Sequence, residues 1–373
     1  MRFENVAIGS VGYTLPPITV TSEDIEKRLM PVYERLKLPE GRLELMSGIQ
    51  ERRMWQPGTR ISDPSIESCR RALAAAEMSP TDVGCLIHAS VCREFLEPAT
   101  ACRVHHGLGL PPECWVYDIS NACLGVLNGM VQIAQLIEGG VIRAGLVVGT
   151  EDASGLIEAT VADLLSDTNL TRQSIKPAFA SLTIGSGSCA VLLVDRLRFN
   201  KGGRMHAAVA RANTIHHGLC HSDQDLAGGS MLPIMHTDSE KLLEAGVQTG
   251  VDTFSTFLSD CPWRKEDFDA TVCHQVGLAH RRLMLDSLGL PQERDFATFH
   301  ALGNTGSVAL PTALGIGLHS QSIRQPSRTA LLGIGSGINC VMIAAELDGV
   351  GVQGNLDSSL LSATKGSTSS VSN

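Results

Sequence analysis

The chain of 373 residues has no basic excess, no long apolar run and no paired-cysteine motif. Lys plus Arg number 30 against 39 Asp plus Glu, a formal net charge of −9, which excludes a general nucleic-acid binder built on a basic footprint. The longest apolar stretches, such as 144–149, fall far short of the ~20 residues a membrane-crossing helix needs. Arg2, Glu4 and the polar stretch 19–27 leave no room for the apolar core of a secretory leader. The 11 cysteines are odd in number and scattered without a CxxC, so the expectation is a reduced, cytoplasmic protein with mostly buried thiols rather than a disulfide framework. What is present is core material. Apolar residues make up 43% and charged residues 18%, and the length allows about two domains or one large duplicated one.

Short apolar runs alternate with helical stretches. Residues 6–13, 84–91, 114–119 and 146–150 read as strands, and 65–77, 99–108 and 124–139 as helices. Thr21 followed by Asp24 reads as a helix N-cap leading into 25–36. The alternation predicts βαβ units and a largely parallel, buried sheet. The run 184–193 (IGSGSCAVLL) is echoed at 334–343 (IGSGINCVMI), each a Gly-rich turn before an apolar strand, and 82–91 resembles 269–276. The expectation is two related halves, 1–200 and 201–350, joined at the Asn200-Lys201-Gly202-Gly203 turn, with an insertion at about 152–180 over the sheet edge. The Ser/Thr/Gly-rich end, 351–373, reads as a disordered tail.

Three residues at strand ends could carry chemistry. Cys123 follows a strand and the small turn Ser120-Asn121-Ala122 and opens an apolar helix. A thiol there meets free backbone N–H groups and the positive helix end, which favour a thiolate and can hold an oxyanion. His274 ends an apolar strand with Gln275 beside it, and Asn304 lies in the turn Gly303-Asn304-Thr305-Gly306-Ser307 before another apolar helix. Singly, each has an ordinary structural reading: a buried cysteine, a packed histidine, an Asx turn. Together they occupy the sheet edge where open α/β folds bind ligands. His216, His217, Cys220 and His221, with His236 downstream, could ligate zinc, but no second element stands at zinc spacing, and no metal is expected. The Gly-rich 333–337 lacks the Lys and Ser/Thr of a P-loop.

Asn121-Ala122-Cys123, His274-Gln275, Gly303-Asn304-Thr305-Gly306 and Gly333-Ile334-Gly335-Ser336-Gly337 occur in the order and spacing of the ketoacyl synthase III enzymes, and Gly48-Ile49 with Arg52-Arg53 resembles an early stretch of that family. The similarity runs from about Phe3 to Leu347. Within the family the chain is most similar to the OleA-type enzymes that join two fatty acyl-CoA molecules, on the segment 90–100 (SVCREFLEPAT) and the run 330–340. The resemblance implies a thiolase-like five-layered αβαβα fold, a homodimer, an acyl-CoA substrate and no cofactor. It implies Cys123 as nucleophile, backbone N–H groups of Cys123 and Ser336 as oxyanion hole, and His274 and Asn304 as holders of an enolate. Glu97 stands where carrier-dependent relatives place an aromatic, and would be a base supplied from the partner subunit. Its plain reading is a surface carboxylate beside Pro98 at the first position of a helix. Ala279 stands where relatives that dock an acyl carrier protein have arginine, which favours CoA, while Arg281 and Arg282 lie on another helical face. The implied reaction is a Claisen condensation of acyl thioesters. Its alternatives are a decarboxylative synthase using a malonyl thioester in fatty acid or polyketide synthesis, a non-condensing acyl transferase, and a regulatory protein that lost turnover.

Overall fold

A computed structural model describes residues 1–199, 202–222, 235–357 and Leu360. Its centre is a 10-stranded sheet. In chain order the strands are β1 (Val6–Thr14), β2 (Cys85–Ala89), β3 (Trp115–Ile119), β4 (Ala144–Glu151), β5 (Gly187–Asp195), β6 (Gly203–Ala212), β7 (Ala270–Cys273), β8 (Ser327–Gly335), β9 (Asn339–Leu347) and β10 (Gly351–Gly354). Their lateral order is β7-β8-β9-β6-β1-β5-β4-β2-β3, with β10 beside β1. Read outward from the β6–β1 junction, the two halves mirror each other: β6, β9, β8, β7 on one side and β1, β5, β4, β2 on the other. The last strand of the first half, β3, has as its counterpart only the parallel bridge of Thr271 to Asp295.

The side-chain alternation along the strands builds the layers. Val147, Val191 and Leu193 face a central core shared with helix α3 (Gly125–Glu138) and helix α6 (Ala309–His319), as do Leu331, Val341 and Ile343 of the other half. Their neighbours Leu146, Val148, Leu192 and Val194 face outward onto α1 (Ser62–Ala75) and α2 (Thr100–Leu108). Leu332, Ile334 and Met342 face α4 (Ser239–Asp260) and α5 (Leu278–Leu288). The result is the five-layered αβαβα arrangement, with strands apolar on both faces because both are covered. Glycines let the central helix lie close. A Cβ on Gly333 would fall 2.3 Å from Leu127 Cδ1 and one on Gly129 2.5 Å from Val147 Cγ2.

Several expectations are corrected. The sheet is mixed, not largely parallel: β5 runs antiparallel to β1 and β4, and β9 antiparallel to β6 and β8. The echoed Gly-rich turns therefore reverse the chain into antiparallel strands. The expected helix 25–36 is two helices, Ser22–Arg28 and Met30–Leu36, because Pro31 at the start of the second lacks the N–H that continuation needs. Thr21 and Asp24 do form a reciprocal capping box. The 152–180 segment packs not on a sheet edge but against those N-terminal helices: Ile157, Val161, Leu164 and Phe179 share a core with Ile25, Leu29, Val32 and Tyr33. The chain does not leave the fold at 351: β10 pairs parallel with β1, Asn355 exchanges hydrogen bonds with Leu15, and Leu360 is buried. Residues 358–359 and 361–373 of the expected tail, and Asn200 and Lys201 of the expected turn, lie outside the described residues. No helix among the described residues is long and apolar enough to cross a membrane.

Candidate active site

Cys123 lies in the turn between β3 and α3, two residues before the helix begins at Gly125, rather than opening it. Ala122 is held at φ +44°, the left-handed region a residue with a Cβ rarely adopts, which makes the bend sharp. The turn is pinned across the two halves. Asn121 donates to Asn128 at 2.8 Å and accepts from Asn339 of β9 at 3.4 Å. Gly335 presses against it, since a Cβ there would be 3.5 Å from Cys123 N and 3.1 Å from Leu124 Cγ. The backbone N–H groups of Cys123 and Ser336 act to lower the Cys123 thiol. They do not win: burial, the Glu151 carboxyl and the Cys220 thiol push the Cys123 thiol up to about 12. The expected resting thiolate is thus corrected to a neutral thiol, because enclosure by protein disfavours the charged form more than two amides favour it.

His274 directly follows β7, its N–H bonded to Leu332 O of β8. It is buried, and burial beside His280 pushes its imidazole down to about 3, so it stays neutral across the physiological range. Its Nδ1 has no hydrogen-bond partner among the described residues. Gln275 ties this strand end to the Asn304 region. Its Oε1 accepts from the N–H groups of Thr298 (2.7 Å) and Phe299 (3.2 Å) while its Nε2 donates to Cys273 O (2.6 Å). Asn304 follows Gly303, whose φ of +66° and close approach to Thr183 O leave no space for a side chain. The Asn304 Oδ1 accepts from Gly306 N at 3.1 Å, which leaves the Nδ2 hydrogens as the outward donors. The Asn304 backbone bonds to Thr183 and Gly185, so the turn at 303–306 is locked onto the Gly-rich turn at 184–187. Cys123 and Asn304 occupy corresponding places in the duplicated halves, each in the turn before a central helix.

Glu97 lies on the loop that precedes α2. It stands exposed beside Phe95 (56% exposed) and Leu96 (62% exposed). Its helix starts only at Thr100 with Ala99 as N-cap, so Pro98 precedes the helix rather than occupying its first position. Ala279 is exposed at the start of α5. Arg281 turns inward, its Nε 2.6 Å from the buried Asp295 carboxylate. The histidine cluster disperses. His216 and His217 sit on the short helical turn Thr214–Leu219, Cys220 and His221 on the strand Cys220–Ser222, and His221 stands in register with His236, whose side chain lies outside the described residues. Among the described residues no group of three or more His, Cys, Asp or Glu side chains could hold a metal ion. Cys220 belongs instead beside Cys123, accepting hydrogen bonds from Ser336 Oγ and Thr237 Oγ1, each at 3.4 Å. Sequence reasoning also missed Glu151, the last residue of β4, whose buried carboxyl accepts from Ser307 Oγ at 2.5 Å and from Val91 N and Cys92 N. The only signal for it was an acid at the end of an apolar strand, on the edge where ligands bind.

Residues 258–347 match the family described as 3-oxoacyl-[acyl-carrier-protein (ACP)] synthase III C terminal, and residues 56–184 match the thiolase N-terminal domain. The layered, duplicated fold with a cysteine, a histidine and an asparagine at one strand edge defines a thiolase-fold condensing acyltransferase. The chain is 38% identical to an acyl-CoA:acyl-CoA alkyltransferase of Shewanella oneidensis, over 92% of this chain and 99% of that one. It is 33% identical to the Xanthomonas campestris protein of the same name, over 92% and 98%. It belongs to this acyl-CoA:acyl-CoA alkyltransferase family. A solved structure of a Cys-to-Ala variant of X. campestris OleA superposes with a TM-score of 0.87 at 32% identity, covering 93% of this chain and 98% of that one. A 3-oxoacyl-(acyl carrier protein) synthase III, FabH, from Xanthomonas oryzae gives a TM-score of 0.86 at 32% identity, covering 93% and 100%.

Proposed function

We propose that the chain condenses two fatty acyl-CoA molecules without decarboxylation, through an acyl-Cys123 intermediate. The Cys123 sulfur attacks the first thioester, CoA leaves as the thiol with the Cys123 proton, and an acyl-enzyme remains. The N–H groups of Cys123 and Ser336, which favour negative charge at Cys123, support a role in stabilising the tetrahedral oxyanion. The second acyl-CoA places its carbonyl oxygen near His274 and the Asn304 amide. Glu97 of a second copy removes an α-proton, the enolate attacks the acyl-Cys123 carbonyl, the carbon–sulfur bond to Cys123 breaks, and the proton held by Glu97 returns to the departing Cys123 sulfur. The products are a β-ketoacyl-CoA and free CoA. No cofactor enters this scheme.

The observation that carries this reading is the place of Glu97, exposed on a loop with Phe95 and Leu96, as expected of a group that works across an interface. A homodimer formed through this loop and the edge of β3, which pairs with no strand among the described residues on that side and where Trp115 is 53% exposed, would cover both. Solved X. campestris OleA structures include variants changed at a cysteine, a histidine and a glutamate, and one structure with lauric acid and lauroyl-CoA bound. The changed glutamate there precedes the changed cysteine by the same number of residues that separate Glu97 from Cys123. The 11 cysteines, all free, fit a reduced, cytoplasmic setting. The similarity to FabH keeps the decarboxylative reaction with a malonyl thioester, on CoA or an acyl carrier protein, as the competing reading. Incubation with fatty acyl-CoA alone, with and without malonyl-CoA, followed by product mass analysis, separates them. The expected product forms without malonyl-CoA and is lost in Glu97→Gln, which still acylates at Cys123. Product that strictly requires malonyl thioester overturns the reading.

A further inference from the structure

We propose that Glu151 is the positioning residue that sets both halves of the second reaction step, by holding the loop that carries Glu97 and the turn that carries Asn304 on one buried carboxylate. The inference rests on the roles of Glu97 and Asn304 given above.

Glu151 is the C-terminal residue of β4 and is 5% exposed. Its Oε1 accepts from Val91 N at 3.1 Å, and its Oε2 from Cys92 N at 3.2 Å. These are the first residues of the segment that runs on to Glu97, and no other hydrogen bond among those described holds the two N–H groups. On the other side Oε1 accepts from Ser307 Oγ at 2.5 Å and Ser307 N at 3.4 Å. Ser307 lies in the Gly306–Val308 helical turn, and Gly306 N is the donor that fixes the Asn304 amide. A Cβ on Gly306 would lie 3.2 Å from Glu151 Cγ, so the turn sits directly on this side chain. Three backbone N–H groups and a hydroxyl thus meet one carboxylate, and such charge-assisted bonds are the strong, geometrically defining ones. An amide or a shorter acid cannot reproduce them. Gln presents N–H hydrogens to a backbone N–H, and Asp is one methylene short of spanning loop and turn.

The carboxylate has a second, separable effect. Its negative charge, with Cys220, opposes ionisation of the Cys123 thiol, while burial raises the Glu151 carboxyl itself. The other ionisable groups at Glu151 are Cys92, with Asp152 behind it. Thiolate at Cys123 is therefore held back by the same charge that orders the acceptor side. This gives a readout that a merely structural glutamate would not move.

Three variants separate charge from span: Glu151→Gln, Glu151→Asp and Ser307→Ala. Each is measured for condensation, for Cys123 acylation by intact-protein mass spectrometry, and for the pH profile of Cys123 alkylation by iodoacetamide. Glu151→Gln is expected to alkylate several-fold faster at a given pH, because the opposing charge is gone, and to condense at least tenfold more slowly. Glu151→Asp is expected to keep slow alkylation yet lose condensation. Ser307→Ala keeps the native alkylation profile and acylation, and its condensation falls several-fold. Should Glu151→Gln fail to fold, the other two decide. Native condensation rates in Ser307→Ala and Glu151→Asp overturn the proposal, as does an unchanged alkylation profile in a folded Glu151→Gln. If the native enzyme makes product only with malonyl thioester, the function proposed above fails by itself. The same variants are then compared in that reaction, where the Asn304 turn still requires a fall in rate.

Discussion

Removing the guanidinium of Arg281 isolates a buried negative charge, and the cost can be sized. The Asp295 side chain is 0% exposed and that of Arg281 16%, with Nε 2.6 Å from Oδ2. Arg281 Nη2 also donates to the carbonyls of Gln292 and Asp295, at 2.7 and 2.8 Å. Truncating one partner of a buried pair costs roughly 3–5 kcal/mol. Asp295 keeps two neutral donors, Thr271 Oγ1 and Cys273 N, each at 3.1 Å. At about 1 kcal/mol apiece these hold the loss toward the lower end. Burial already raises the Asp295 carboxyl despite Arg281, and Arg281→Ala raises it further. A folded-state pKa above the unfolded one means that the folded variant takes up a proton as pH falls. The deficit is therefore full at pH 8 and shrinks toward pH 5. Urea unfolding followed by tryptophan fluorescence at the two pH values measures both size and trend. The pair Arg281→Met with Asp295→Asn, which removes both charges, should lose much less than Arg281→Ala alone. A native unfolding midpoint for Arg281→Ala at pH 8, or a deficit equal at both pH values, would refute the argument.

Asn304→Ala should leave Cys123 acylation largely intact and slow condensation by about 10²–10³-fold, the scale of one lost oxyanion donor; native condensation would exclude an enolate role. Gly333→Ala puts a Cβ 2.3 Å from Leu127 and 2.9 Å from Val341 O, so it should destabilise by about 1–3 kcal/mol and slow Cys123 acylation as α3 shifts, which thermal unfolding and intact mass read separately. His88, His274 and His280 are pushed by burial down to about 4, 3 and 4. The unfolded chain then binds protons from pH 6.5 downward that the folded chain refuses, so stability falls with pH by about 2 kcal/mol per histidine at pH 5. His280→Asn should flatten that slope; an unchanged slope would show that His280 does not titrate in this way.

The strands 6–13 and 146–150 and the turns at Cys123, His274 and Asn304 were legible because each is a local pattern: an apolar run, a small-residue bend, a glycine where the backbone turns left-handed. What went unread depended on partners distant in sequence. The direction of β5 and β9 is set by which strand each lies beside, and a Gly-rich turn before an apolar run reads the same either way. The Cys123 thiol looked activated because its helix end is visible in the chain, whereas the burial and the Glu151 carboxyl that oppose ionisation are not. Glu151 ends an apolar strand, and nothing local to it shows the loop and turn that meet its carboxyl. Cys220 drew notice only as part of a histidine cluster in sequence, while its neighbours in space are Ser336 and Thr237. The break at Leu29 was readable in Pro31, and the docking of residues 351–354 on β1 was not, since nothing local distinguishes that strand from the polar chain after it.

The two ends of the sheet are unlike. At β7 the outward groups are already occupied: Thr271 O accepts from Phe296 N, and Cys273 N donates to the Asp295 carboxylate. At β3 the outward face of the backbone pairs with no described strand. A sheet with two free ends can recruit copies of itself without limit, and the product is a fibre. A sheet with one free end can recruit a single copy, related by a twofold axis, and growth then stops because each chain has spent its only opening. In the homodimer proposed above, the aspartate that closes the far end of the sheet would therefore also limit the assembly to two chains.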